Sequence, residues 1–246
     1  MIIFNNIIDD LRDYIDNQLM YGNVKEFNHK NLSKWPHGTK RDIILKSDVG
    51  IELGNPKDES ISFMLWTDTK QKINHGKIYL IGPDLNESKS LNLPFGKILL
   101  LSVNGFNEDN SYERYRQLDL LRYDILLDGY MMRAVSQNMR EWSRVSKKAL
   151  KNGFSLLFLA EILIEKYSQI DYIDSVEVLM ITDSSQIKKI SKHSQKVINI
   201  INAMSKMNEE LSFDCNSCDY QEICNEASEL KLMRKTLKNR ALSNEK

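Results

Sequence analysis

The chain has 246 residues, of which 41% are hydrophobic and 28% charged, a composition typical of a soluble globular protein with a sizeable core. Lys plus Arg and Asp plus Glu number 34 each, so the net charge is zero, which argues against a general nucleic-acid-binding protein. The sequence begins without a signal peptide and has no apolar run of the roughly 20 residues that span a bilayer. We therefore expect a cytoplasmic protein with neither nucleic acid nor membrane as a partner.

The N-terminal segment, residues 1–41, is predicted to be a helix followed by a loop. Apolar residues recur at helical spacing over residues 2–21, with Ile8, Leu11 and Ile15 among them, and Gly22 follows as a stop signal. Residues 23–41 are polar and contain Pro36 and Gly38, which is typical of a loop.

Residues 42–103 consist of short runs rich in Ile, Leu and Val, separated by turn sequences that contain Gly, Pro or Asn. This pattern predicts five strands. They are Asp42–Leu45, Val49–Leu53, Ile61–Leu65, Ile78–Ile81 and Ile98–Val103. Because no helix intervenes between them, we expect antiparallel pairing.

The remainder of the chain is predicted to be mainly helical, with one further strand at Val176–Ile181. Six helices are predicted from the helical spacing of apolar residues. They are a helix that begins near Tyr112, Met131 to about Leu150, Leu156 to Tyr167, a helix that begins near Gln186, Ser194 to about Leu211, and Glu226 to Arg240. Residues 182–185 offer side chains suited to an N-cap. The predicted fold class is α+β: a largely antiparallel sheet, about residues 42–103 plus 176–181, packed with helices. We divide the chain into 1–41, an α+β domain at 42–190, and a helical cysteine-containing segment at 191–246.

All three cysteines lie in ten residues with the spacing C-x2-C-x5-C: Cys215, Cys218 and Cys224. An odd, clustered set cannot form a disulfide framework, so the spacing favours a metal site. An iron–sulfur cluster, most simply [4Fe–4S], is one interpretation. Zinc with a fourth ligand such as His193 or His75 is the second, and reduced thiols in a turn are the third. The fourth ligand of a cluster stays open among Asp214, Asp219, a distant His, a substrate atom and a second chain.

Five stretches, in conserved order over about residues 49–184, resemble the beta subunit family of the CO dehydrogenase/acetyl-CoA synthase complex. Ile51–Lys57 is similar to E-L-G-G-P-K, and Gly76–Asp84 to G-K-V-x-x-I-G-P-D. Trp142–Ala149 is similar to W-V-R-I-S-K-E-A, Gly153–Leu156 with Glu161–Leu163 to G-F-x-L-K-H-I-G-E-I-L, and Val176–Asp183 to V-x-V-T-I-x-T-D.

The resemblance implies that this region corresponds to the family's domain before the catalytic one, which contributes arginines that hold coenzyme A. The arginine of W-V-R-I-S matches Arg144, and a guanidinium suits the phosphates of coenzyme A. We therefore predict a coenzyme A site of Arg144, Arg140, Arg133 and Trp142, with the arginines on one turn of a helix or on neighbouring turns. The family's tryptophan nine residues earlier falls at Arg133, which puts aromatic stacking on the adenine in doubt.

The family's catalytic cluster has the spacing C-x2-C-x8-C-x9-C and a later C-x-C that holds nickel, and this sequence lacks both. Complete acetyl-CoA assembly is therefore not expected of the chain, and its status as an enzyme is left open. The leading hypothesis is an iron–sulfur protein of anaerobic one-carbon or acyl-CoA metabolism that binds coenzyme A or a partner. The alternative is a non-catalytic interaction module with structural zinc. A third is an enzyme that uses an open cluster iron. The expected partners are ferredoxin, a corrinoid protein or components of a CO dehydrogenase/acetyl-CoA synthase system.

Overall fold

A computed structural model of the protein describes residues 1–29, 35, 36, 38, 40–135, 140–209 and 218–244, with side chains up to residue 237. The α+β class is confirmed. The helices are α1 (Asn5–Met20), α2 (Ser111–Leu120), α3 (Lys147–Lys151), α4 (Leu156–Ser168), α5 (Ser184–Glu209), α6 (Gln221–Glu226) and α7 (Ser228–Asn244). The strands are β1 (Val24–Asn28), β2 (Val49–Leu53), β3 (Ser60–Thr67), β4 (Lys77–Ile81), β5 (Asn92–Leu93), β6 (Phe95–Val103), β7 (Tyr130–Val135), β8 (Glu141–Ser146) and β9 (Ile173–Ile181).

No helix within the described ranges is both long and apolar enough to cross a lipid bilayer.

The strands form two mixed sheets. A five-stranded sheet has the order β1-β4-β9-β6-β3, and a four-stranded sheet has the order β5-β2-β8-β7. Four of the seven ladders among the described strands are antiparallel. Both ladders whose strands lie within residues 42–103, β2 with β5 and β3 with β6, are parallel. The antiparallel pairing predicted for this region is therefore wrong. Most consecutive strands here lie in different sheets, and β3 and β4, which share the five-stranded sheet, are separated in it by β6 and β9.

Most elements predicted from hydrophobic periodicity are confirmed, among them α1, α2, α4, β2, β3, β4, β6 and β9. The N-cap prediction also holds, because the Asp183 carboxylate accepts a hydrogen bond from the Gln186 N–H at 3.0 Å. The two helices expected after it are one continuous helix, α5. The C-terminal helix prediction corresponds to α7, preceded by the short α6.

Three local predictions are wrong. The predicted helix from Met131 to Leu150 is instead the hairpin β7–β8 followed by the short α3. Residues 42–45 are not a strand: Ile44 instead contacts the four-stranded sheet, and its N–H donates to the Met131 sulfur of β7 at 3.4 Å. The predicted loop at residues 23–41 contains the edge strand β1, whose mostly exposed residues conceal its pattern.

Helices α1 and α5 lie on one face of the five-stranded sheet, and the second sheet lies on the other. On one face, Arg12 of α1 forms an ion pair with Glu177 of β9, and Tyr14 of α1 donates to Gln186 of α5 at 2.8 Å. Glu177 of β9 lies opposite Leu100 of β6, so these two side chains are on the same face of the sheet. Lys97 comes three residues before Leu100, and side chains alternate along a strand, so Lys97 projects from the other face. There it meets Glu141 of β8, which places the four-stranded sheet on that side.

A buried polar network joins the two sheets around the Glu141 carboxylate. Lys97 forms an ion pair with it, and the hydroxyls of Tyr130 and Ser143 donate to it at 2.9 and 3.1 Å. Ser62 of β3 donates to its other oxygen at 3.2 Å. Burial opposes ionisation of Glu141, but Lys97 and the hydroxyl donors outweigh burial and hold its pKa below the ordinary value.

We predict that Glu141→Gln lowers the free energy of unfolding by about 3 kcal/mol, because Lys97 would remain buried without its counter-charge. Urea-induced unfolding followed by circular dichroism measures this change. Lys25→Ala is the matched control, since its ion pair with Glu87 is about half exposed, and we expect a loss below about 1 kcal/mol. Equal losses in the two variants would contradict the structural role of the buried pair.

Candidate functional site

The C-terminal helices enclose a cavity of about 460 Å³, which we call the cysteine cavity. Its walls come from the C-terminal part of α5, from α6 with the turn before it, and from α7. Cys218 and Cys224 both line it, together with the apolar side chains of Ala203, Met207 and Leu230. Two of the three predicted metal ligands therefore face one space.

Local hydrogen bonds set the positions of these two cysteines. Cys218 lies in the turn that leads into α6, and its carbonyl accepts from the Gln221 N–H at 3.1 Å. Cys224 lies on α6, and its N–H donates to the Tyr220 carbonyl at 3.0 Å. Both cysteines are half-buried. Cys215 lies outside the described residues, so a metal shared by all three sulfurs stays a prediction.

The cysteine cavity is strongly basic. Four of its twelve lining residues are cationic, and none of the twelve is a carboxylate. These cations, Lys206, Lys231, Arg234 and Lys235, are called the basic rim below. A cavity with this charge favours an anionic occupant.

The other ligands considered for a metal lie elsewhere. Within the described part of the chain, no three His, Cys, Asp or Glu side chains converge on a point where they could hold a metal ion. His193 is on α5 beside Asp10, and the His75 ring accepts from the Val176 N–H at 3.3 Å. Neither histidine lines the cysteine cavity, nor does Asp219, while Asp214 lies outside the described residues.

The second predicted site lies on the outer face of the four-stranded sheet. Glu141 and Ser143 point inward on β8, so the alternate residues Trp142 and Arg144 point outward. The Arg133 guanidinium lies 4.2 Å from the centre of the Trp142 ring, and that of Arg144 lies 5.7 Å from it. The structure therefore brings Arg133, Trp142 and Arg144 together on a sheet rather than on a helix.

Only one of the three predicted arginines is exposed. Arg144 is buried, where it donates to the Glu52 carboxylate at 2.8 Å and to the Ile44 carbonyl at 3.2 Å. Arg140 is half-buried and donates to the Asp58 carbonyl at 2.5 Å. Arg133 is exposed, and it lines a cavity of about 480 Å³ that also contains Arg41 and Tyr123. Arg133 is thus the arginine of the set that can meet a ligand directly.

Residues from the five sequence motifs contact one another. Glu52 of the first motif pairs with Arg144 of the third. Asp84, at the end of the second motif, accepts from the N–H of Leu156 in the fourth at 2.9 Å, at the start of α4. Thr182 of the fifth motif donates to the carbonyl of Pro83 in the second at 2.6 Å. These motif residues stabilise the fold.

A sequence model of the CO dehydrogenase/acetyl-CoA synthase complex beta subunit matches residues 38–187, more than half of the chain. The chain belongs to this family. The part that matches the beta subunit family contains Trp142 and the three predicted arginines, and it ends before the residues of the cysteine cavity.

Two curated relatives are similar to part of the chain. The carbon monoxide dehydrogenase/acetyl-CoA synthase subunit alpha of Moorella thermoacetica is 28% identical over 151 residues, 60% of this chain and 20% of the relative. The acetyl-CoA decarbonylase/synthase complex subunit beta of Methanopyrus kandleri strain AV19 is 27% identical over 157 residues, 63% of this chain and 32% of the relative. The matched region is thus between a fifth and a third of these relatives' length.

Sequence reasoning did not identify several residues of the two sites. Lys206 reaches the cysteine cavity from α5, and nothing in its local sequence distinguishes it from other helix-surface lysines. Glu52 is the partner of Arg144 across the β2–β8 ladder. The sequence did place Glu52 in the E-L-G motif, within a predicted strand that begins at residue 49. Its pairing with Arg144, however, required the strand register.

We predict that Arg144→Ala lowers the free energy of unfolding by about 2 kcal/mol or more, because it leaves Glu52 and the Ile44 carbonyl without their donor. Arg133→Ala removes an exposed cation above Trp142 and should cost less than about 1 kcal/mol. Urea-induced unfolding of the two variants compares them directly. Equal stability of the two variants would contradict the assignment of Arg144 to the fold and Arg133 to the surface.

Proposed function

We propose that this member of the beta subunit family is an iron–sulfur component of a CO dehydrogenase/acetyl-CoA synthase-type system of anaerobic one-carbon or acyl-CoA metabolism. The observation that carries the proposal is the placement of Cys218 and Cys224 on one cavity with a basic rim. Cys215, three residues before Cys218, supplies the third thiolate of the proposed [4Fe–4S] cluster.

The residues present fit such a cluster. Thiolate and sulfide make a cluster anionic, and the basic rim supplies compensating positive charge. The apolar walls, Met207 and Leu230 among them, restrict water around the sulfurs. When bound, the cluster would supply one-electron transfer, or a Lewis-acidic iron at the corner without a thiolate. The protein's own residues hold it, balance its charge and limit its contact with solvent.

We further propose that Arg133 and Trp142 form the part of the outer sheet face that contacts coenzyme A. The exposed Arg133 guanidinium suits a phosphate group, and the stack on Trp142 fixes its plane. Arg144 and Arg140 act indirectly, since their guanidinium groups are engaged by Glu52 and by backbone carbonyls. Their role is to position the strand that carries Trp142.

The second candidate function is a non-catalytic interaction module with structural zinc at the cysteines. The engagement of Arg144 and Arg140 within the protein favours it, because these arginines then serve the scaffold. In this case ferredoxin, a corrinoid protein or another component of the complex would be the partner docked by the domain. The two candidates differ in the metal and in whether coenzyme A binds.

We predict that the protein purified without oxygen is brown, contains iron and sulfide, and gives an electron paramagnetic resonance signal after reduction. Cys218→Ser and Cys224→Ser should each lose most of the iron, because each removes a thiolate from the cysteine cavity. Asn225→Ala is the control, since Asn225 lines the same cavity without a sulfur and the variant should keep its iron. A colourless protein that holds zinc would contradict the cluster and support the interaction module.

We predict that coenzyme A binds to the protein and that Arg133→Ala weakens the affinity about tenfold, through loss of a charge-assisted contact. Isothermal titration calorimetry measures both. Lys148→Ala removes an exposed cation from α3 and should leave the affinity unchanged. An absence of binding to the wild type, or equal binding by Arg133→Ala, would exclude this coenzyme A site.

A further inference from the structure

Strand β7 has an open groove along its free edge. Among the described strands it lies at the end of the four-stranded sheet, where it pairs with β8 on one side and with no strand on the other. The unpaired side of an edge strand presents backbone N–H and C=O groups that another chain can take up. All six residues of β7, Tyr130–Val135, line the cavity of about 480 Å³ that contains Arg41 and Tyr123. We call this cavity the edge groove.

Much of the lining of the edge groove is apolar and adaptable. Ile125 and Leu126, which precede β7 in the chain, line it together with Met131 and Met132 of β7 itself. Methionine side chains are flexible and fit apolar partners of different shape, which is why they are frequent on surfaces that bind peptides. Ile43, also in the lining, is 78% exposed. The groove therefore offers apolar contacts beside the free backbone groups of β7.

The charged residues of the edge groove are mostly positive. Three of its thirteen lining residues are arginines, and one is a carboxylate. This carboxylate, Asp42, already accepts from the N–H groups of Gly129 at 2.7 Å and Ile43 at 3.1 Å. Among the arginines, Arg122 forms an ion pair with Asp119. The positive charge that is left belongs to the other two arginines.

These two arginines, Arg41 and Arg133, are exposed to solvent. Each guanidinium lies over an aromatic ring: that of Arg41 is 5.6 Å from the centre of the Tyr123 ring, and that of Arg133 is 4.2 Å from the centre of the Trp142 ring. A ring contact holds a guanidinium in place and leaves its N–H donors open to a carboxylate. A ligand with carboxylate groups therefore complements the charge of the edge groove.

We propose that the edge groove binds an extended, acidic peptide segment of a partner protein, which adds to β7 as a further strand of the sheet. Backbone hydrogen bonds to the free edge would supply the affinity, and apolar side chains of the segment would contact the methionine-containing walls. Its carboxylates would pair with Arg41 and Arg133. The proposal goes beyond the cluster and coenzyme A and depends on neither. Arg133 also belongs to the proposed coenzyme A contact, so Arg41 is the residue to test.

A second copy of the chain suits this edge less well. The β7–β8 ladder has a bulge between Met132 and Ala134, and a bulge in an edge strand opposes long, regular pairing between two such strands. Pairing of two β7 strands about a two-fold axis would also bring the arginines of two edge grooves together, and like charges placed opposite each other are destabilising. A short segment that carries negative charge avoids both problems.

The test uses the full chain and a synthetic peptide of about seven residues that alternates glutamate and valine and has blocked ends. Isothermal titration calorimetry should show binding to the wild type. Arg41→Glu should weaken the affinity about tenfold, because a charge-assisted contact becomes a repulsive one. Lys192→Glu makes the same change in net charge at an exposed position on α5 and should bind as the wild type does. Circular dichroism checks that all three proteins are folded.

Two further peptides separate strand addition from simple charge attraction. Both keep the sequence and the charge, but one has methylated backbone nitrogens at the glutamates and the other at the valines. Because alternate residues of an added strand direct their N–H groups to β7, one of these peptides should lose most of its affinity and the other should keep it. Equal binding of all three peptides, no binding to the wild type, or undiminished binding by Arg41→Glu would overturn the proposal. A wild type that sediments as a dimer and binds no peptide would assign the groove to a second copy instead.

Discussion

The buried ion pair between Lys97 and Glu141 joins the two sheets, and the orientation of the four-stranded sheet depends on it. Glu141 can be ionised in the core only because Lys97 and three hydroxyl groups meet its carboxylate. With Glu141 facing inward, the strand alternation turns Trp142 outward, Ser143 inward and Arg144 outward. The outer face, where two guanidinium groups lie close to the Trp142 ring, is therefore a consequence of a contact in the core.

The same contact explains where sequence reasoning failed. Strand β8 buries Glu141 and Ser143 and leaves Trp142 partly exposed, so its hydrophobic pattern is inverted relative to an ordinary half-buried strand. Read by polarity alone, the segment from Met131 onward suggested a helix, and the arginines were placed on its turns. Strands β3 and β6 were identified correctly, because most of their residues are hydrophobic and all of them are buried. The sheet order was not predictable, since most strands that are neighbours in the sequence lie in different sheets, and β3 and β4 share a sheet without pairing.

The candidate sites were predictable to different degrees. The spacing of the cysteines predicted a shared metal, which stays a prediction; the structure shows that Cys218 and Cys224 line one cavity. The cavity itself was not predictable, because its walls come from the end of α5 and one side of α7, and how these two helices pack does not follow from the pattern of either one. The family resemblance located the arginine and tryptophan region, and the match to residues 38–187 confirms the family. The sequence could not tell which arginine reaches the surface, because that depends on the hydrogen-bond partners of each guanidinium group.

The two faces that carry the candidate sites lie on different sides of the molecule's sheets. Trp142 is on the outer side of the four-stranded sheet, and the cysteine cavity is at the end of α5, which packs on β3 and β6 of the five-stranded sheet. Packed sheets are about 10 Å apart, so a small molecule over Trp142 has no direct path to the sulfurs. A ligand over Trp142 and a group in the cysteine cavity would therefore occupy separate sites, and each could exchange without displacing the other. A reaction that needed both would require a partner that bridges the two sites.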